Sequence, residues 1–244
     1  MDFSIGVKYT NPRVSYDGKY WYLSVSIEKE TEEVQLTDIS LGIDVGIKDL
    51  AICSNGKVFK NINKTKVVRQ LEKRLKRLQR QVSRKYELNK KQLKGGEIRC
   101  QFVKTNKIMK LEKEIRLVHR RLKNIRLNHH HQTTNQIVKT KPSRIVMETL
   151  NLKGMMKNKH LSKVITQQGL YEFKRQLQYK CEKYGIEFVE ADKWYPSSKT
   201  CSHCGNVKVK LSLSERTYHC EACGQSLDRD LNAAINLSRY GLVL

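Results

Sequence analysis

The chain has 244 residues, enough for one sizeable core with a small accessory module. Its 48 Lys+Arg against 24 Asp+Glu give a formal net charge of +24, which favours a polyanionic partner, although a ribosomal or membrane-surface protein could carry the same number. No run of 18 apolar residues occurs, which excludes a membrane-spanning helix, and no apolar signal region stands at the N-terminus, so a reducing cytoplasm is expected.

In chain order, Asp17-Gly18 supplies a turn ahead of Tyr20–Ile27, which is rich in aromatic and β-branched residues and predicts a strand. Leu41–Ile47, Leu50–Cys53, the Asn55-Gly56 turn and Lys57–Phe59 predict consecutive strands joined by tight turns. Asp44 falls inside the first of these. A carboxylate in an apolar strand is costly to bury unless it binds a metal or is hydrogen-bonded.

Residues 61–130 hold 23 Lys+Arg and 5 Asp+Glu, so most of the net charge lies there. Leu71, Leu75, Leu78 and Val82, then Ile108, Leu111, Ile115, Val118, Leu122 and Ile125, recur at steps of three and four. Two amphipathic helices are predicted, turning at Gly95-Gly96 into an antiparallel hairpin with one apolar seam. A solvated helix pair normally mixes both signs of charge; here one dominates, and nucleic-acid contact is the better reading. Lys73, Arg74, Lys76, Arg77, Arg80, Arg116, Arg120 and Arg121 are the candidate phosphate contacts. His129-His130-His131 point in different directions on a helix and read as a polar surface.

Ser143–Leu150 predicts a short apolar strand carrying Glu148 near its end, with Lys153–Met156 a following loop in which the methionines pack. Trp194 and Tyr195 read either as base-stacking aromatics or as packing for the cysteine-rich segment beyond them. Next come Cys201-x2-Cys204 and Cys220-x2-Cys223, fifteen residues apart, each pair followed by a glycine. Four thiolates so spaced suit a structural tetrahedral Zn²⁺. Cys53, Cys100 and Cys181 are scattered and read as ordinary thiols. Four residues beyond the last ligand begins Asp228-Arg-Asp-Leu-Asn-Ala-Ala-Ile-Asn-Leu237, a helix start with Asp228 as its cap and Asp230 free for other work. Asp44, Glu148 and Asp230 could converge from separate elements on Mg²⁺ or Mn²⁺, as one-ion or two-ion phosphodiester chemistry requires.

Gly42–Ile47, Met147–Leu152, the four-cysteine ribbon and Asp228–Ala234 together resemble the TnpB/OrfB proteins of bacterial insertion sequences, as do Phe173–Lys180 and Trp194–Lys199. The resemblance spans about residues 15–240. It implies an α/β, RNase H-like (RuvC) mixed sheet interrupted by a basic helical hairpin and a four-cysteine zinc ribbon. The implied boundaries are a β (wedge-like) remnant at 1–38, a nuclease core at 39–237 with insertions at 61–140 and 196–226, and a tail at 238–244. It makes Asp44, Glu148 and Asp230 the catalytic acids of a divalent-metal-dependent, RNA-guided DNA endonuclease tied to transposition, with DNA and a guide RNA as partners in a bacterial cytoplasm, nucleoid-associated when bound to DNA. Relatives carry a long N-terminal lobe, whereas about 40 residues precede the first nuclease motif here. The alternative is therefore a truncated, non-catalytic nucleic-acid-binding remnant that regulates transposition; a zinc-dependent transcription-type adaptor would explain the ribbon but not the acids.

Overall fold

The computed structural model describes residues 8–28, 34–92, 100–102, 104–212 and 214–242. The chain divides into two units: the described residues of 1–30 and 64–127 form one, and those of 31–63 and 128–244 the other.

In the first unit, β1 (Tyr9–Tyr16) and β2 (Trp21–Ile27) pair antiparallel. The Asp17-Gly18 turn joins them, with Asp17 Oδ1 accepting from the amides of Lys19 and Tyr20 at 2.9 Å and Gly18 at φ +94°. Arg120 donates to the Asp17 carboxylate and to Tyr22 Oη, and its guanidinium lies 5.1 Å from the Tyr20 ring centre. The long helices α1 (Lys66–Leu88) and α2 (Asn106–Val138) belong to the basic segment. They run antiparallel: Tyr86 Oη donates to Glu112 at 2.6 Å, and Glu72 receives Arg126 at 2.8 Å. Leu71, Leu78, Ile108, Val118 and Leu122 of the predicted stripes are buried, and the other stripe residues are partly covered. Between the helices, β6 (Lys90–Gln92) and β7 (Cys100–Phe102) form a short antiparallel ladder, an element the periodicity did not suggest. Gly95-Gly96, the expected turn, lies outside the described residues. No helix among the described residues is long and apolar enough to cross a membrane.

The second unit is built on a five-stranded sheet in the order β5 (Val58–Lys60), β4 (Asp49–Cys53), β3 (Thr37–Val45), β8 (Pro142–Glu148) and β9 (Glu187–Ala191). β4 runs antiparallel to its neighbours β5 and β3, whereas β3, β8 and β9 are parallel. Strand alternation assigns two faces. Leu41, Ile43, Val45, Ile145 and Met147 point to one core, which α5 (Leu170–Tyr184) and the end of α2 complete through Phe173, Leu177, Cys181, Ile137 and Val138. Gly42, Val146 and the acids at positions 44 and 148 belong to the other face, covered by α6 (Arg229–Ser238), with Leu237 packed beside Val146 and Ala191. The approach there is close: a Cβ at Gly42 would overlap the Ala234 carbonyl and the Ser238 amide. Two short helices, α3 (Leu152–Met156) and α4 (Lys159–Gln168), link β8 to α5, so the segment after Leu152 is helical rather than a loop, and Met156 is exposed rather than packed. Cys53 and Cys181 are buried, and burial pushes each thiol up to about 12, as inert packing thiols. Cys100 lies in β7.

The histidine run is not a simple polar surface. His130 is buried, with Nε2 bonded to the Gln168 carbonyl at 2.9 Å and its ring edge-on to Phe173. Successive helical residues differ by about 100°, so a run of three histidines must aim one side chain inward. Burial lowers the proton affinity of His130, favouring the neutral ring that its apolar seat requires.

Candidate metal-dependent nuclease site

Two strands and one helix deliver the acids. The parallel pairing of β3 with β8 matches Ile43 to Met147, so Asp44 and Glu148 are the next residues in register and share a face. Glu148 in turn sits opposite Ala191 of β9. On that face, Gly42 touches α6 at Ala234. Asp44 lies two residues further along β3 and Asp230 one turn earlier along α6, which brings Asp230 over the same strand ends. Burial pushes the Asp44 carboxyl well up, helped by the charges of Glu148 and Asp230 and opposed by Arg229. Burial also raises Glu148, to about 7, with Asp230 adding to the shift. The three oxygens are not packed as tightly as the cysteine sulfurs: among the described residues, the group of three or more such ligands drawn within 4.8 Å is the cysteine set. The raised carboxyls mark mutual repulsion among the acids at this end of the sheet, only partly offset by Arg229, the condition a divalent ion relieves.

Asp228 caps α6, its Oδ1 accepting from the amides of Asp230 at 2.9 Å and Leu231 at 3.1 Å. Capping consumes this carboxylate and leaves Asp230, two residues on, in the first turn. Arg229 directs its guanidinium to the carbonyls of Ser212 and Glu215 at 3.0 and 3.4 Å, and its charge partly offsets the acids. Two supports were not legible in sequence. Gln168, buried, donates to the Gly46 carbonyl at 3.0 Å, and Asn61 donates to that of Ile47 at 2.7 Å; both pin the turn after Asp44.

The cysteine knuckles are near replicas. Cys201 N donates to Asn206 O and Gly205 N to Cys201 O, at 2.8 and 2.9 Å; Cys220 N to Gln225 O and Gly224 N to Cys220 O repeat both values. Gly205 and Gly224 occupy the left-handed region at φ +76° and +73°, where a side chain would be strained. Cys201 Sγ lies 3.7 Å from Cys223 Sγ and Cys204 Sγ 3.6 Å from Cys220 Sγ. A tetrahedron with metal–sulfur bonds near 2.3 Å has edges of about 3.8 Å, whereas a disulfide would need about 2.05 Å. The sulfurs therefore fit a tetrahedral metal and not a pair of disulfides. Without a metal the sulfurs share their protons unevenly: the Cys223 amide draws the Cys220 thiol down to about 6, while desolvation and the neighbouring sulfurs raise Cys204 and push Cys223 up to about 12.

Ribbon and acid helix are stitched together. Strands β10 (Thr217–His219) and β11 (Ser226–Asp228) lead directly into α6. Asn232, fully buried, accepts from Ser202 N at 2.9 Å and donates to Thr200 O at 2.7 Å; Asn236 donates to Ser197 O and Thr200 O, both at 2.7 Å. Arg239 donates to Ser202 O. The i,i+4 spacing of the two asparagines was a visible signal of a shared helix face.

Of the basic candidates, Lys73, Arg74, Lys76, Arg77, Arg80 and Arg121 line one groove of about 970 Å³ with Val67, Gln70 and Leu71. Arg116 lies beside Gly18, and Arg120 is committed to Asp17 and Tyr22, so neither joins that groove.

Residues 22–159 match the sequence model of a family described as "Probable transposase", OrfB_IS605. The chain belongs to the OrfB_IS605 family. Residues 171–237 of this OrfB_IS605 member also match a "Cas12f1-like, TNB domain". A Streptomyces pristinaespiralis protein named "Putative RNA-guided DNA endonuclease" is 34% identical over 97% of this chain and 54% of its own length. InsQ of Escherichia coli (strain K12), carrying the same description, is 29% identical over 95% of this chain and 56% of its own. In fold, the chain resembles the protein in a Cas12f1–sgRNA–target DNA complex, with a TM-score of 0.61 at 22% identity over 95% of this chain and 46% of that one. The chain spans about half the length of the curated relatives it matches.

Proposed function

We propose that this OrfB_IS605 member is a RuvC-like, divalent-metal-dependent DNA endonuclease of the TnpB type, working with a guide RNA. The observation that carries the reading is the partly buried convergence of Asp44, Glu148 and Asp230, two of them with raised proton affinity. Such a cluster destabilises a fold unless a cation or proton neutralises it. The hard carboxylate oxygens fit Mg²⁺ or Mn²⁺, and the four sulfurs fit Zn²⁺. When bound, the hard ion supplies Lewis-acid chemistry, generating hydroxide from water and neutralising charge on the phosphate in flight.

The chain's own groups set the stage for this. Asp44 and Glu148 are held by strand backbone and so keep a fixed separation. Asp230 is aimed by the Asp228 cap and the asparagine ties of α6. Without the ion, Glu148 holds a proton near neutral pH at its carboxylate oxygens, and ion binding would displace it. The groove along α1 is assigned to nucleic-acid phosphates, and the insertion and core boundaries at 39–237, 61–140 and 196–226 belong to the same proposal. The zinc ribbon serves as a scaffold for α6.

The test is cleavage of single-stranded and duplex DNA with Mg²⁺ by protein carrying the RNA that co-purifies with it, comparing wild type with Asp44→Ala. Wild-type cleavage lost in the variant supports the reading. Equal inactivity of both, with nucleic-acid binding retained, overturns it in favour of a non-catalytic nucleic-acid-binding role.

A further inference from the structure

Trp194 stands apart from the residues around it. It comes just after β9, and β9 ends at Ala191, directly opposite Glu148. Thr149 Oγ1 donates to the Ala191 carbonyl at 2.7 Å, so the two strand ends are locked together. Three residues of chain reach at most about 11 Å, which confines Trp194 to the sheet end where the strands deliver their acids. In open α/β sheets, that carboxyl end of the parallel strands is where ligands sit.

The mount is rigid. Asp192 Oδ1 accepts from Trp194 N at 2.7 Å, and Tyr195 N donates to Asp192 O at 3.0 Å. Asp192 N donates to Tyr240 Oη at 3.1 Å, and Tyr195 Oη donates to the Asn236 carbonyl at 3.0 Å. The Tyr195 and Tyr240 rings meet edge-on at 4.9 Å. Asp192 and Tyr195 are tied down on either side, yet the indole is 80% exposed, with the Lys193 ammonium 4.7 Å from its ring centre.

A single exposed apolar residue usually needs no explanation. An indole held on a fixed turn, paired with a cation and placed beside a phosphodiester-cutting site, matches one ligand in each respect: a nucleotide presents a π-face to the ring and a phosphate to the lysine. A base in a duplex has both faces covered by its neighbours, so the partner is unpaired. We propose that Trp194, with Lys193, is a stacking platform for a base of single-stranded DNA entering the acid cluster. The location of that cluster rests on the nuclease reading above; the binding test does not need cleavage.

Trp21 is the other tryptophan of the chain, so Trp21→Phe leaves Trp194 as the sole indole reporter. Titrating that zinc-loaded protein with oligodeoxythymidine, without added Mg²⁺ or Mn²⁺, is expected to quench its fluorescence to saturation, with little quenching by a duplex of equal length. In fluorescence anisotropy, Trp194→Ala is expected to weaken oligodeoxythymidine binding by roughly tenfold and Trp194→Phe far less, at unchanged melting temperature. Binding without quenching, equal quenching by duplex, quenching by RNA alone, or unchanged affinity in Trp194→Ala each overturns the platform. Cleavage that persists in Asp44→Ala would instead sink the nuclease reading while leaving a positive stacking result standing.

Discussion

Asp44 and Glu148 hold their protons more tightly in the fold than in the unfolded chain, and the consequence has a definite sign. A raised folded pKa contributes stability that is fully present below the unfolded value and lost as pH rises through the folded one. For Glu148 that window runs from about 4.5 to about 7, and the raised Asp44 acts in the same sense. Zinc-loaded protein free of Mg²⁺ is therefore expected to melt at a lower temperature at pH 8 than at pH 5.5. Glu148 alone accounts for about 2 kcal/mol of that difference, and Mg²⁺ should restore more stability at pH 8 than at pH 5.5. Thermal melts of wild type and Glu148→Gln check this; the variant should show a flatter profile, and an equally steep one would remove Glu148 as the cause. Gly42 makes a second residue-scale case. Its Cβ would collide with backbone of α6 rather than with a side chain able to swing away. Gly42→Ala should cost about 1–3 kcal/mol in urea denaturation and lower cleavage as well, because α6 carries Asp230.

At the scale of elements, the metal ribbon and α6 behave as one piece. Binding of Zn²⁺ to a four-thiolate site contributes apparent free energies of about 10–16 kcal/mol in small modules, enough to order both knuckles. Asn232 and Asn236 carry that order to the helix through buried hydrogen bonds to Thr200, Ser202 and Ser197. Cys201→Ser is expected to lower zinc content, stability and cleavage together. Asn232→Ala, at full zinc occupancy, should cost about 1–3 kcal/mol and still lower cleavage, since a buried amide and carbonyl are left without partners. Zinc content, melting temperature and cleavage measured side by side test this; unchanged cleavage with zinc lost would uncouple the ribbon from Asp230. The asparagine spacing was in the sequence, but i,i+4 positions announce a common face without saying what that face meets.

For the whole molecule, the net charge of +24 matters through its distribution. Six basic side chains share one groove, so Arg77→Ala with Arg80→Ala should weaken nucleic-acid binding for all sequences. The salt slope should fall by about one for each phosphate contact removed. Arg120→Ala should act differently, lowering melting temperature more than affinity, because Arg120 is tied to Asp17 and Tyr22. Binding measured across a salt series separates the two. Charge counting placed Arg120 with the groove residues; only its partner 103 residues away moved it out.

The sequence by itself determined the four-cysteine cluster, the two basic helices, the strands around Asp44 and Glu148, and the cap at Asp228, because each is written in local spacing or periodicity. Strands β1 and β9 escaped that reading. So did the ladder β6–β7, whose three-residue strands are too short, and in Lys90–Gln92 too polar, to show an alternation. The tertiary structure decided how strands distant in sequence lie side by side, which histidine turns inward, and which asparagines brace the acid helix. It also left Trp194 exposed while seating Tyr195 against Tyr240. Those outcomes depend on pairing register and on close packing between segments as far apart as Gly42 and Ala234. No local pattern in the chain encodes such contacts, because their energy exists only once both surfaces meet.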